Sequence, residues 1–248
     1  EVDPCRDAFD PRIQVARHLY NRGLTRGLAT ADRHAFEVAS GRHELPFGTI
    51  DIVVDSGAKD WYGWRLEDFV PAADFRVRGF QNRYRHAGIG APLSASLGKQ
   101  DVGQPLPPGA SHVAPRLRVP VTAFLRFDEV RVGLARGSLV GHLELYSEDQ
   151  RSELEVDGKA VPLELEKSSS FAAMLEGAPI WDFGFAGFRL GDYLPGGPAD
   201  QIYMLHPYRP GLIPLVLVPG TFSSPATWAQ LVNELENDPE ISKHYQPW

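Results

Sequence analysis

Between Pro11 and Ala29 apolar residues return every three or four positions. Ile13, Ala16, Tyr20 and Leu24 share one stripe, with Val15 and Leu19 beside it. That spacing predicts an amphipathic helix. Asp10-Pro11 supplies an N-cap and a proline for the first turn. Gly23 and Gly27 weaken the second half. Arg12, Arg17, Arg22 and Arg26 read as its solvated face.

After His34 the pattern shifts toward period two, the signature of strands with one buried face. Thr49–Val54 reads as a strand ending at Asp55-Ser56-Gly57. Asp74–Gly79 alternates like another. Leu117–Phe127 is strand-like but interrupted by Pro120, and Val130–Leu134 with Leu139–Tyr146 read as a strand pair turning at Arg136-Gly137. Leu154–Val156 and Val161–Leu165 flank Asp157-Gly158, a strong hairpin signal. Ser168–Leu175 predicts a short helix with a serine cap. Gly98–Pro115, Tyr193–Ala199 and Pro207–Gly211 are rich in glycine and proline and read as connections. The punctuation near residue 205 suggests a domain boundary there.

Composition narrows the function classes. The 248 residues are 43% hydrophobic and 23% charged, enough apolar material for a sizeable core. The net charge of −7 argues against nucleic acid as the main partner. No apolar run reaches the length of a membrane span. Cys5 is the single cysteine, so no internal disulfide forms. Its neighbours Val2-Asp3-Pro4 are not the small apolar residues of a lipidation site, and it reads as a plain cysteine.

The segment that carries a chemical signal lies near the C-terminus. Leu212-Ile213-Pro214-Leu215-Val216-Leu217-Val218 is apolar on both faces, as in a strand inside a covered parallel sheet. Pro219-Gly220-Thr221-Phe222-Ser223 follows as a short loop, and Ser224-Pro225 opens a helix. Trp228, Leu231, Val232 and Leu235 give that helix one buried stripe. Asn237-Asp238-Pro239 ends it, and Ile241 and Tyr245 suggest one more short turn of helix. The run Leu215–Thr221 resembles the oxyanion-hole strand and loop of α/β-hydrolases, above all lipases and esterases. Many members have His-Gly where this chain has Pro219-Gly220, and some lipases carry Pro-Gly-Thr. The longer run through Trp228 resembles bacterial α/β-hydrolase-like proteins with a long N-terminal extension. The hydrolase resemblance covers residues 206–248.

Acyl transfer passes through a tetrahedral oxyanion, and backbone N–H groups aimed at that oxygen stabilise it. The resemblance implies that Gly220 lets the backbone approach the substrate and that Thr221 offers its N–H. The nucleophile of this fold sits in Gly-x-Ser-x-Gly. Gly109-Ala110-Ser111-His112-Val113 lacks the last glycine, and no serine comes closer. The nucleophile, acid and histidine are therefore expected after Trp248, and the chain as it stands is expected to be inactive. Residues 206–248 alone would leave apolar edges open, so they are expected to dock on the β-rich region or remain poorly ordered.

Other constellations carry less. Gly88-Ile89-Gly90-Ala91-Pro92-Leu93 lacks the third glycine of a dinucleotide loop and reads as an ordinary turn. The eight histidines include no pair at metal spacing, so no metal or cofactor is expected. His206 is the one histidine near the candidate loop. Trp61-Tyr62-Gly63-Trp64 reads as core rather than a ligand platform, and Ser168-Ser169-Ser170 as a cap rather than a nucleophile.

The expected fold is α+β. Residues 1–205 form a β-rich accessory domain with an N-terminal helix, and residues 206–248 begin an α/β-hydrolase domain. The expected function is the N-terminal part of a serine hydrolase acting on small-molecule or lipid carboxylic esters. The alternative is a non-catalytic binding or interaction domain with a structural βα appendage. The chain reads as soluble, and the resemblance admits association with the bacterial cell envelope.

Overall fold

A computed structural model describes residues 11–28, 37–77, 80–98, 107–114, 116–156, 158–175, 202–218, 220 and 225–248. The periodic stripe at the N-terminus forms helix α1, Pro11–Gly27. Period-two segments then build β1 (Gly41–Leu45), β2 (Gly48–Val54), β3 (Asp60–Trp61), β4 (Trp64–Pro71), β5 (Arg85–His86) and β6 (Ala91–Leu97). Next come β7 (Arg118–Phe127), helix α2 (Val130–Arg136) and β8 (Ser138–Ser147). Seven of these strands form one sheet in the order β1-β2-β8-β7-β6-β4-β3. Only β2 and β8 pair in parallel; every other pair in this sheet is antiparallel. The chain is therefore α+β with a mostly β body.

The core follows the pleat. Val119, Val121, Ala123 and Leu125 alternate along β7 and are all buried, as are Leu139, Leu143 and Leu145 of β8. Pro120 does not break β7. The β8 ladder starts one residue later, at Val121 opposite Ser147, so the missing N–H falls where β8 has already ended.

Two predicted strands are not strands. Val130–Leu134 is helix α2, capped by Gly137 in the left-handed conformation at φ 67°. The reason is topological: β8 pairs with β7 on one side and β2 on the other, so neither edge is left for Val130–Leu134. Val130, Val132 and Leu134 instead face solvent. The Asp74–Gly79 prediction also fails. Beyond Pro71 the chain makes a 3-10 turn at Ala72–Asp74 and runs on unpaired through Val77; residues 78 and 79 lie outside the described residues.

The predicted hairpin is β9 (Glu153–Val156) with β10 (Lys159–Pro162), turning through Gly158 at φ 73°. Strand β11 (Leu165–Glu166) pairs with β5 and leads into helix α3, Lys167–Leu175. Ser168, Ser169 and Ser170 are not a cap; they are buried inside α3. The tight Gly88–Gly90 turn lies against this connection. A Cβ on Gly88 would meet the Pro162 carbonyl oxygen at 2.2 Å, and Gly90 has φ 113°. The two glycines serve packing, as expected of an ordinary turn.

Helix α1 closes one end of the sheet by supplying ladder partners that strands lack. β6 begins opposite Ala123, leaving Leu125 beyond its reach. The Tyr20 hydroxyl donates to the Leu125 carbonyl at 2.9 Å and accepts from the Leu125 N–H at 2.7 Å. Asn21 donates to the Gly88 carbonyl and accepts from the Gly90 N–H, both at 2.9 Å. Burial pushes the Tyr20 phenol well above its ordinary pKa.

Among the described residues, two further strands lie near the C-terminus, and Ala229 between them joins the main core. Strand β12 (Ile213–Leu215) pairs in parallel with β13 (Tyr245–Pro247). Between them lie a 3-10 turn at Pro225–Trp228, helix α4 (Ala229–Asn237) and helix α5 (Pro239–Ser242). Asp238 caps α5, accepting from Glu240 N at 2.9 Å and Ile241 N at 3.0 Å. Parallel strands joined through helix are a βαβ unit. The open edge expected of residues 206–248 is present: among the described residues Leu212–Val218 has one strand partner, and Ile213, Val216 and Val218 are largely exposed. One expectation is corrected here. The inward face of α4 is not Trp228-Leu231-Val232-Leu235. It is Ala229, Val232 and Asn233, while Leu231 is exposed. Polar contacts set the rotation. Asn233 accepts from Ser168 Oγ of α3 at 2.9 Å and donates to the Asn82 carbonyl at 3.0 Å. The unit thus docks on the β body through α4 and α3.

Candidate functional site

The strand–loop–helix that carries the candidate oxyanion loop is β12 followed by Pro225–Asn237. Gly220 is exposed at its turn. Thr221, with Pro219, Phe222, Ser223 and Ser224, lies outside the described residues. The strand is held from behind by Gln246 of β13, which is buried. Its amide donates to the carbonyls of His206 and Pro207 at 3.1 and 3.0 Å and accepts from Arg209 N at 3.2 Å. This clamp fixes the turn that feeds β12.

That same turn borders a cavity of about 610 Å³ between the β body and the βαβ unit. Three ion pairs sit on its wall. His206 Nε2 meets Glu236 Oε2 of α4 at 2.9 Å, Arg209 meets Asp149 at 2.5 Å, and Lys167 meets Glu148 at 2.5 Å. The pairs balance in charge. Lys167 also donates to the Glu236 carbonyl at 3.1 Å, so α3 and α4 are cross-linked beside the cavity. Trp61 of β3, 2% exposed, stacks edge-on against His206 with ring centroids 6.4 Å apart. The Trp61-Tyr62-Gly63-Trp64 cluster is thus part core and part cavity wall.

Position alone singles out His206 in the sequence. The structure gives it a partner that the spacing conceals, because Glu236 lies thirty residues away on the α4 face that the apolar stripe misassigns. Burial disfavours the imidazolium, but the charge of Glu236 and its hydrogen bond outweigh that cost, and His206 titrates above its ordinary value. For Glu236 burial likewise favours the neutral form, and His206, Arg209 and Lys167 together hold its carboxyl below the usual range. An oriented imidazole–carboxylate pair resembles the base half of a nucleophilic triad. The serines that line the cavity do not complete it. Neither Ser147 Oγ nor Ser170 Oγ makes a hydrogen bond, and His206 Nδ1 has no partner among the described residues. Among the described residues the arrangement therefore positions a proton but no nucleophile.

The pair has a testable pH signature. His206 is raised, so its contribution is complete below about pH 6.5 and is lost as pH rises through its folded pKa. Glu236 is lowered, so its contribution is present above about pH 4.5 and is lost as pH falls through its folded pKa. Both contribute fully between those limits. About a fifth of each side chain reaches solvent (19% and 19%), which reduces the cost of breaking the pair. Glu236→Gln is expected to destabilise the chain by about 2 kcal/mol inside that window. The difference should shrink toward pH 9, as read by urea unfolding across pH.

Among the described residues no group of three His, Cys, Asp or Glu side chains is placed to hold a metal ion, and no helix is long and apolar enough to cross a membrane. Comparison with protein-family models, curated proteins and solved structures finds no match to this chain.

Proposed function

We propose that the chain is the N-terminal portion of a serine hydrolase acting on carboxylic esters. In this reading Gly220 and Thr221 form the oxyanion-hole loop, and the nucleophile, acid and histidine follow Trp248. The observation that carries the reading is the parallel pairing of β12 with β13 across α4 and α5. A βαβ unit is the building block of sheets covered by helices on both faces. This one carries the Pro-Gly-Thr run after its first strand, where such sheets bind ligands, beyond the carboxyl ends of the strands. Its exposed Ile213, Val216, Val218 and Leu231 suit further strands and helices packing on it. The N–H of Thr221 would meet the developing oxyanion, with the field of the following helix adding to it.

The test is fluorophosphonate labelling of two proteins, this chain and its reading frame translated further downstream. The 248-residue chain is expected to remain unlabelled. The longer protein is expected to label at the serine of a Gly-x-Ser-x-Gly motif, and to lose the label when that serine becomes alanine. A longer protein with no such motif and no label would leave a binding domain as the better reading.

A further inference from the structure

We infer that the cleft between α1 and the β1-β2-β8-β7 end of the sheet binds the chain of a free fatty carboxylate, with the exposed Arg26 on its lining taking the carboxylate. The cleft encloses about 400 Å³, within the usual range for a small-molecule site. Its floor is Ile50, Leu125 and Leu139, all buried, and its rims are Leu19 and Phe47, which are 62% and 51% exposed. Among the described residues lining it, Arg26 alone carries a charge. No ion pair or side-chain hydrogen bond engages Arg26 among the described residues, so its guanidinium is available to an anion. An apolar trough with one unpaired cation among its described lining residues matches a ligand with an unbranched apolar tail and one anionic head.

The helix itself is built to leave this space. Gly23 sits in the interior of α1, where only proline is a poorer helix former than glycine. A Cβ placed on Gly23 meets nothing within 4 Å. No tight approach therefore requires a glycine there, and the residue lines the cleft. The Tyr20 and Asn21 clamps hold α1 against the sheet, and Tyr20 itself lines the cleft. This inference does not rest on the ester reading. Binding is measured on the present chain, where no turnover is expected, so the two can fail separately.

The experiment is calorimetric titration of the chain with octanoate, decanoate and dodecanoate below their micellar concentrations. Dodecanol and anionic phosphatidylglycerol vesicles serve as separate arms. Saturable one-to-one binding is expected, tightening about fourfold per methylene until the cleft is full. Arg26→Gln should weaken dodecanoate about tenfold and leave dodecanol unchanged. Gly23→Leu should fill the cleft and weaken every chain length about tenfold or more. Because it improves helix propensity, its melting temperature should hold or rise, which separates blocking from unfolding. Affinity that is indifferent to chain length or to Gly23→Leu would overturn the assignment. So would equal affinity for dodecanol and dodecanoate, or binding to vesicles alone.

Discussion

Glu164→Ala should cost the chain about 3 kcal/mol and lower its melting temperature by about 6–12 °C. The carboxylate is nearly inaccessible, with a side-chain exposure of 6%. One oxygen accepts from Arg85, at 2.7 Å from Nε and 2.5 Å from Nη2. The other accepts from the Gly88 N–H at 2.9 Å and from Asn21 Nδ2 at 3.3 Å. Arg85 is 62% exposed and recovers water when the carboxylate is removed, so its loss costs little. The cost comes from the Gly88 N–H. It is buried, and an orphaned buried donor costs about 1–3 kcal/mol. Loss of the second Asn21 contact adds to it by loosening α1. Glu164→Gln keeps an acceptor for Gly88 and should lose about half as much. Urea unfolding of the two variants, with hydrogen exchange at the Gly88 amide, measures this directly. A loss for alanine no larger than for glutamine would mean that the turn is held by packing alone.

What is legible in the sequence is local. Asp157-Gly158 marks the β9–β10 hairpin because a turn needing positive φ selects its residues within a few positions. The alternation of β2, β7 and β8 is likewise visible, since each has a buried face. The α1 stripe shows the helix but not its burial: Leu24 is the one stripe residue that is buried, while Ala16, Val15 and Leu19 are exposed. What stays hidden depends on partners far along the chain. Val130–Leu134 has the alternation of a strand, and only the two occupied edges of β8 make it a helix. The apolar pattern rotates α4 away from its true inward face because Asn233 and Glu236 look like surface residues. Their partners, Ser168 and His206, lie in other segments and are polar themselves, so hydrophobic patterning gives no sign of them. The candidate loop is legible by resemblance. The cavity beside it is not, because its walls come from β3, the β8–β9 turn, α3 and α4. The parallel partner of β12 is hidden too, because Tyr245–Pro247 is three residues long and contains a proline.

Thr221→Pro should lower kcat of the extended enzyme by about 10²–10³-fold with little change in KM, if this loop stabilises an oxyanion. Proline removes the one group that the proposal assigns to the reaction, the peptide N–H, and Gly220 before it tolerates the restriction that proline imposes on its neighbour. The loss corresponds to about 2.7–4 kcal/mol of transition-state stabilisation, because the donor acts on charge that appears only as the tetrahedral intermediate forms. Thr221→Ala is the necessary companion. It keeps the N–H and removes the hydroxyl, so any fall beyond about tenfold there would assign a separate role to the side chain. Fluorophosphonate labelling should slow in Thr221→Pro in parallel with ester turnover, since the phosphonyl oxygen occupies the same site. A proline variant that turns over esters within about threefold of the parent would place the oxyanion donor elsewhere. It would leave Pro219–Ser223 a connecting turn and return the βαβ unit to a structural role.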